Sequence, residues 1–182
     1  MGTPLNQSDI SHALATSSSS VDVVLVTMNA RRVSDSPFAA PDPNNSPPRL
    51  MADSVRNALS AMRAASPPVP KIVVMSAVGT GESINNVNCG MRLVFTHTNM
   101  RFSREDHDAV DQELRAAAKD VAFVEVRPWL LTDTDAAEVK VFPDDGKGAG
   151  FMPKVSRASV ARFMVEAAEV SKYDGRAPVI TN

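Results

Sequence analysis

The 182-residue chain carries a single cysteine, few aromatics and no large excess of either charge. Its one cysteine, Cys89, cannot form an internal disulfide, and one thiol with three scattered histidines makes no recognisable metal-ligand set. That excludes a disulfide-stapled scaffold and points to a reducing compartment. Lys plus Arg number 19 against 21 Asp plus Glu, a net charge of −2, so the basic surface that nucleic acid requires is missing. No apolar run is longer than a buried strand, far short of the roughly 20 residues that span a bilayer. The opening Met1-Gly2-Thr3-Pro4 lacks the basic-then-apolar order of a secretion signal. These absences predict a cytoplasmic protein with a small-molecule substrate, no nucleic-acid or membrane partner and no metal. The length suits one domain, residues 1–182, with a core of its own.

What is present has an alternating pattern. Val21-Asp22-Val23-Val24-Leu25-Val26-Thr27 is a short, β-branched run that reads as a strand buried on both faces, and Lys71-Ile72-Val73-Val74-Met75-Ser76 has the same character. Between them Ala52, Val55, Leu59 and Met62 recur at helical spacing, so residues 51–64 form an amphipathic helix ending before Pro67-Pro68. Strand, helix, strand is a βαβ unit. A second helix is expected from Ser103, with Asp106 completing its cap and His107, Val110, Leu114 and Ala118 on one face. Residues 121–126 supply a third strand. A helix capped by Ser156 buries Val160, Phe163, Met164 and Ala167, and Pro178-Val179-Ile180 is a last short strand. The fold class is α/β, a mainly parallel sheet flanked by helices.

Two long connections, 29–50 with its five prolines and 77–102, follow the C-terminal ends of strands. Open parallel sheets bind ligands at that edge. The serine run 17–20 reads as a flexible approach to the first strand, and Gly146-Lys147-Gly148-Ala149-Gly150 as a solvated surface loop.

Taken in order, several segments resemble the NmrA-like, atypical short-chain dehydrogenase group of NAD(P)-binding Rossmann proteins, which includes the small flavin and biliverdin-IXβ reductases. They are Val23-Val24-Leu25-Val26, Met51 to Asn57, Lys71 to Gly79, Asp106-His107, Val126-Arg127-Pro128-Trp129, and Val155-Ser156-Arg157 through Tyr173-Asp174-Gly175-Arg176. The family opens with a strand, a Gly-x-x-Gly-x-x-Gly turn and a helix that bind the pyrophosphate. This sequence holds no such turn; Gly79-Thr80-Gly81 lacks the third glycine. In family terms the chain begins near the end of the third strand, a truncated Rossmann-like arrangement whose dinucleotide half is expected to be missing.

The resemblance implies a cofactor, NADP or NAD, and places residues around it. Thr27, Met28 and Asn29 fall where family members touch the adenosine and pyrophosphate part. Ser76 and Ala77 fall at the nicotinamide end, where a hydroxyl can donate to a developing oxyanion or simply satisfy loop backbone. Arg127, Pro128 and Trp129 leave a strand at the same edge, with Pro128 expected to turn the backbone toward the carboxamide and Trp129 to stack on the ligand or close the core. His107 is a candidate for substrate contact or a satisfied boundary histidine. The Tyr-x-x-x-Lys motif of typical short-chain dehydrogenases is missing, so no tyrosine acid is expected.

Three functions remain open on this reading. One is an NAD(P)H-dependent oxidoreductase acting on a small carbonyl, flavin or conjugated molecule, with Ser76 and His107 as its catalytic pair. Another is a non-catalytic regulatory or partner-binding module. The third is a cofactor-independent isomerase or dehydratase using the same two residues. In the usual strand order 3-2-1-4-5-6, the strand at 21–27 would border the missing first strand, so its edge is expected to be covered by N-terminal residues or by a partner chain, a homodimer included.

Overall fold

A computed structural model describes residues 2–17, 19–34 and 36–182; Ser18 of the serine run and Asp35 of the proline-rich loop lie outside them. The β-branched runs form strands as their composition requires. β1 (Val23–Val26), β2 (Lys71–Met75) and β3 (Ala122–Pro128) lie parallel, with Val24 opposite Ile72 and Val73 opposite Val124. β7 (Val179–Thr181) continues parallel beside β3, and β5 (Lys140–Phe142) closes that side antiparallel, giving the order β1-β2-β3-β7-β5. A separate parallel pair joins β4 (Leu130–Thr132) to β6 (Lys154–Ser156).

Alternation along the strands sorts the core into two layers. Ile72, Val74 and Phe123 face helices α2 (Leu50–Ala64) and α4 (Met100–Ala117), where they meet Val55, Met62, Val110 and Leu114. Val73, Val124 and Val126 face α5 (Arg157–Glu169) and meet Val160, Phe163 and Met164. Each such side chain contributes roughly 1.5–3 kcal/mol by leaving water. The Ser156 hydroxyl accepts from Ser159 N at 3.0 Å and so caps α5 as its position in the sequence predicts.

Five local expectations need correction. The first strand spans four residues, not seven, and β3 runs on to Pro128, so Arg127 and Pro128 lie inside a strand and not in the turn after it. Residues 77–102 are not an open loop; they hold a 3₁₀ turn, Gly81–Asn86, and helix α3 (Cys89–His97). Helix α4 starts at Met100, ahead of Ser103. Asp106 then caps a different helix. Its carboxylate accepts Met51 N at 2.9 Å and Ala52 N at 3.0 Å, supplying from α4 the cap that α2 lacks where Arg49 enters it in left-handed backbone, φ 61°.

The strand order leaves β1 at the edge, paired only with β2 among the described residues. An N-terminal helix, α1 (Gln7–Ala15), packs on α2 through Ile10 and Leu14 and does not run along that edge. Leu25 of β1 remains 45% exposed.

Candidate functional site

A cleft of about 470 Å³ opens at the C-terminal ends of β1, β2 and β3, within the ordinary size of small-molecule pockets. Met28, Asn29, Ser76, Ala77, His107 and Trp129 line it, together with Pro128. Seven of the nine sequence positions, from four separate segments, thus line one cleft. Thr27 and Arg127 do not line it. At the floor the Ser76 hydroxyl lies 3.3 Å from His107 Nδ1 and 3.4 Å from Thr80 Oγ1. Thr80 already donates to Ala77 O at 2.7 Å, so toward Ser76 it can only accept. The Ser76 hydroxyl can donate to Thr80 or to a group that enters the cleft, while His107 Nδ1 contacts the same oxygen. His107 is 4% exposed; burial lowers its pKa and the Arg127 charge adds to this, outweighing the opposing charges of Asp106 and Asp108, so the ring is neutral near pH 7.

The strand ending differs from the expected carboxamide clamp. Trp129 N donates to Ile180 O at 3.3 Å, and Pro128 O accepts Val78 N at 3.1 Å, so the backbone around the proline is engaged within the sheet. What remains is the side chain of Trp129. The indole is 5% exposed and packs with Val87, Phe95 and Val179, while its enclosed Nε1 has no hydrogen-bond partner. It both closes the core and leaves a donor unspent beside the cleft.

Behind Ser76 lies a charge cluster that sequence reasoning did not find. The fully buried Arg127 guanidinium meets Glu125 Oε2 through Nε at 3.1 Å and Nη2 at 2.7 Å, Asp111 Oδ1 through Nη2 at 2.9 Å, and Glu82 Oε2 at 3.4 Å. Arg115 Nε reaches both oxygens of Asp111 at 2.9 Å. Burial would raise the Asp111 pKa, but hydrogen bonds from Arg115 and Glu125 and the two arginine charges hold it low. Glu125 goes the other way: burial pushes it up to about 8, with Asp111 adding to the rise and Arg127 and Ser76 opposing it. The signal was present in the sequence. Glu125 and Arg127 stand two apart in an apolar strand, hence on one face, and Asp111 is one helical turn from His107.

Residues 1–170 match the NAD(P)H-binding family. The chain belongs to the NAD(P)H-binding family. No curated protein matches it. Among solved structures, ChuY of Escherichia coli O157:H7, an anaerobilin reductase, is 14% identical with a TM-score of 0.68, over 99% of this chain and 72% of that one. A short-chain dehydrogenase/reductase of Veillonella parvula in complex with NADP is 13% identical with a TM-score of 0.67, over 100% and 70%. ChuY of E. coli CFT073 is similar at 13% identity, TM-score 0.66, over 97% and 78%. These likenesses bear out the α/β Rossmann-like fold.

Membership in the NAD(P)H-binding family raises the question of fit. At the ring end the donors suit a nicotinamide and its acceptor: a buried indole N–H without a partner, and a serine hydroxyl at the cleft floor. The glycines do not suit a pyrophosphate. Gly79 N donates to Ser83 Oγ at 2.9 Å and Gly81 N to Asp108 Oδ1 at 2.8 Å, so a carboxylate of the chain already sits at the anion position. A Cβ at Gly81 would stand 2.7 Å from Arg127 Nη2, and one at Gly79 would stand 2.7 Å from the Phe95 ring; both glycines make room for side chains. In the 146–150 loop Gly146 N and Lys147 N donate to Pro143 O and Asp145 Oδ1, a self-contained surface turn. Among the described residues no glycine turn cradles a phosphate. Nor do they hold a metal-ligand cluster, or a helix long and apolar enough to cross a membrane.

Proposed function

We propose that the protein is a cytoplasmic NAD(P)H-dependent reductase, with NADP the first cofactor to test, that acts on a small carbonyl, flavin or other conjugated acceptor. The observation that carries this reading is the Ser76 hydroxyl, positioned by His107 and Thr80 at the floor of a cleft at the strand ends of an NAD(P)H-binding protein. A bound reduced nicotinamide supplies the hydride. The chain's own part is to hold the acceptor. Ser76 donates to its oxygen as negative charge develops there, and neutral His107, with Nδ1 3.3 Å from the hydroxyl oxygen, holds the serine in place. Trp129 offers a ring face and an unspent N–H. Thr27, Met28 and Asn29 end β1 beside the same edge, and Ala77 follows Ser76 as a small residue that keeps the approach open.

Ser76→Ala tests the role directly. It should lower kcat roughly 100-fold, the usual scale for one oxyanion donor, while the Kd for NADPH stays within about twofold. Equal loss of cofactor binding would assign Ser76 to binding alone.

A second reading has its own support. Because the Gly79 and Gly81 N–H groups are engaged internally, the same cleft would serve a partner-binding module or a cofactor-independent isomerase or dehydratase, both free of any need for a phosphate cradle. Substrate conversion with no oxidation of a nicotinamide separates the last of these from the reductase.

A further inference from the structure

Two residues that line the cleft have no part in holding the acceptor oxygen. Arg31 and Arg32 follow β1, and with His107 neutral they carry the only charges among the described residues that line it. The chain as a whole is at −2, so this positive charge is local. Their backbone is fixed: Arg31 N donates to Ser46 Oγ at 2.6 Å, Asp42 N donates to Arg31 O at 3.0 Å, and Arg32 bridges to Pro41. Arg32 Nη1 donates to Ser36 O at 3.0 Å, a carbonyl that takes up one N–H and cancels no charge. Asp42 is held below its ordinary pKa by the Asn45 side chain first and by Arg31 least, and its oxygens already accept Asn44 N at 3.0 Å and Asn45 Nδ2 at 2.9 Å. Among the described residues, which exclude Asp35, neither guanidinium is in an ion pair. Helix α4 adds to the same potential, because its first turn holds no acidic residue and Met100 and Ser103 of that turn line the cleft.

The arginines also mark a boundary. A second cavity of about 520 Å³ is walled by Pro41, Pro43, Pro47, Pro48 and Phe102, and Ala30, Arg31, Arg32 and Ser103 line both spaces. Proline rings give this chamber apolar walls without N–H donors. Its other charges are spent or solvated: Asp106 accepts Met51 N and Ala52 N, Arg49 pairs with Asp53 and Glu113, and Glu105 is exposed. A molecule that reaches Ser76 and outgrows the first cleft passes the arginine pair to enter the second. We propose that Arg31 and Arg32 form an anion site between two chambers, and that the acceptor is a conjugated acid. Its reducible end lies at Ser76, its carboxylate or phosphate against the guanidiniums, and its apolar body among the prolines and Phe102. A guanidinium fork matches either oxyanion with paired N–H groups. Calling the ligand an acceptor rests on the reductase reading; the anion site does not. The cofactor carries phosphates too, but beyond the arginines a dinucleotide would bring a second one into an apolar chamber whose one solvated charge, Glu105, repels it.

Calorimetry of the protein without cofactor, with 2-naphthoate and its uncharged analogue 2-naphthamide as probes, reads the site directly. The wild type should bind the acid roughly 10-fold more tightly than the amide at low salt, the scale of one charge-assisted hydrogen bond, with the ratio shrinking as salt is added. With Arg31→Gln and Arg32→Gln combined, the acid should fall to the affinity of the amide, whose own binding should not change. Arg31→Lys with Arg32→Lys should restore part of the preference. Phe102→Ala should weaken both probes equally and leave their ratio untouched. Equal binding of acid and amide to the wild type, no binding of either up to millimolar, or a preference that survives in the double glutamine variant overturns the proposal. NADPH separates the two sources of an anion. Arginines that serve the acceptor let NADPH and naphthoate bind together, and the double glutamine variant keeps its affinity for NADPH. Competition between the two, with NADPH binding weakened in that variant, gives the arginines to the cofactor's phosphates and overturns the assignment to the acceptor. NADPH that fails to bind the wild type removes the reductase reading, whereas the preference for the acid stands or falls by itself.

Discussion

His107 and Glu125 are both buried, with pKa values displaced in opposite directions from their ordinary ones, and stability should report both. The His107 ring resists protonation when folded but takes a proton at about 6.5 when unfolded, so its contribution is present above pH 6.5 and is lost as pH falls through that value. Glu125 holds its proton when folded up to about 8 against 4.5 unfolded, so its contribution is present below 4.5 and is lost as pH rises between the two. The slopes oppose each other in the acid range. Differences between variant and wild type separate them: His107→Gln should flatten the loss of stability on the acid side of a melting-temperature profile, and Glu125→Gln should remove a decline between pH 4.5 and 8, each by at most about 1.4 kcal/mol per pH unit. Profiles that run parallel to wild type would mean that neither group is displaced. At this scale Ser76, His107 and Trp129 were legible, because a polar residue at a strand end or on an apolar helix face stands out. Glu125 and Asp111 were not, since their meaning lies in a cluster with Glu82 and Arg115 that only the packing of α4 on β3 assembles.

At the scale of elements, helix α2 depends on a carboxylate from α4. Asp106 satisfies two N–H groups that would otherwise be orphaned at a buried helix start. Asp106→Ala should cost about 0.5–2 kcal/mol in urea unfolding, with the first turn of α2 losing amide protection before the rest; unchanged stability would show that water replaces the cap. Strong periodicity made α2, α5 and the strands readable in advance. Helices α1 and α3 were not, and the reason is physical: α1 has no fully buried residue and α3 only Phe95, so neither writes an apolar stripe into the sequence. Their signals were caps, Asn6 accepting Ser8 N and Asn88 accepting Met91 N, both at 3.0 Å. The Asp106 cap was misassigned for the converse reason. A Ser103-to-Asp106 spacing satisfies a local rule, while the true partner lies 55 residues away in sequence.

For the whole molecule, the order β1-β2-β3-β7-β5 gathers the strand ends into one cleft and, among the described residues, leaves the far side of β1 without a strand. Because α1 lies on α2 and does not cover that edge, a second copy of the chain is the cover to test, and the amides of Val23–Val26 should then gain exchange protection as protein concentration rises. Fast exchange at every concentration would show that the edge stands open. On the proposed reading the cleft takes a nicotinamide cofactor even though no described glycine turn cradles a phosphate. The most direct test is an NADPH titration followed by the fluorescence of the sole tryptophan, Trp129, with Trp129→Phe as the inner-filter control and calorimetry as a second readout. Saturable quenching at micromolar cofactor is the predicted result. A signal that stays flat to millimolar cofactor, with no heat of binding, would contradict the account and leave the cleft to a partner or to cofactor-free chemistry.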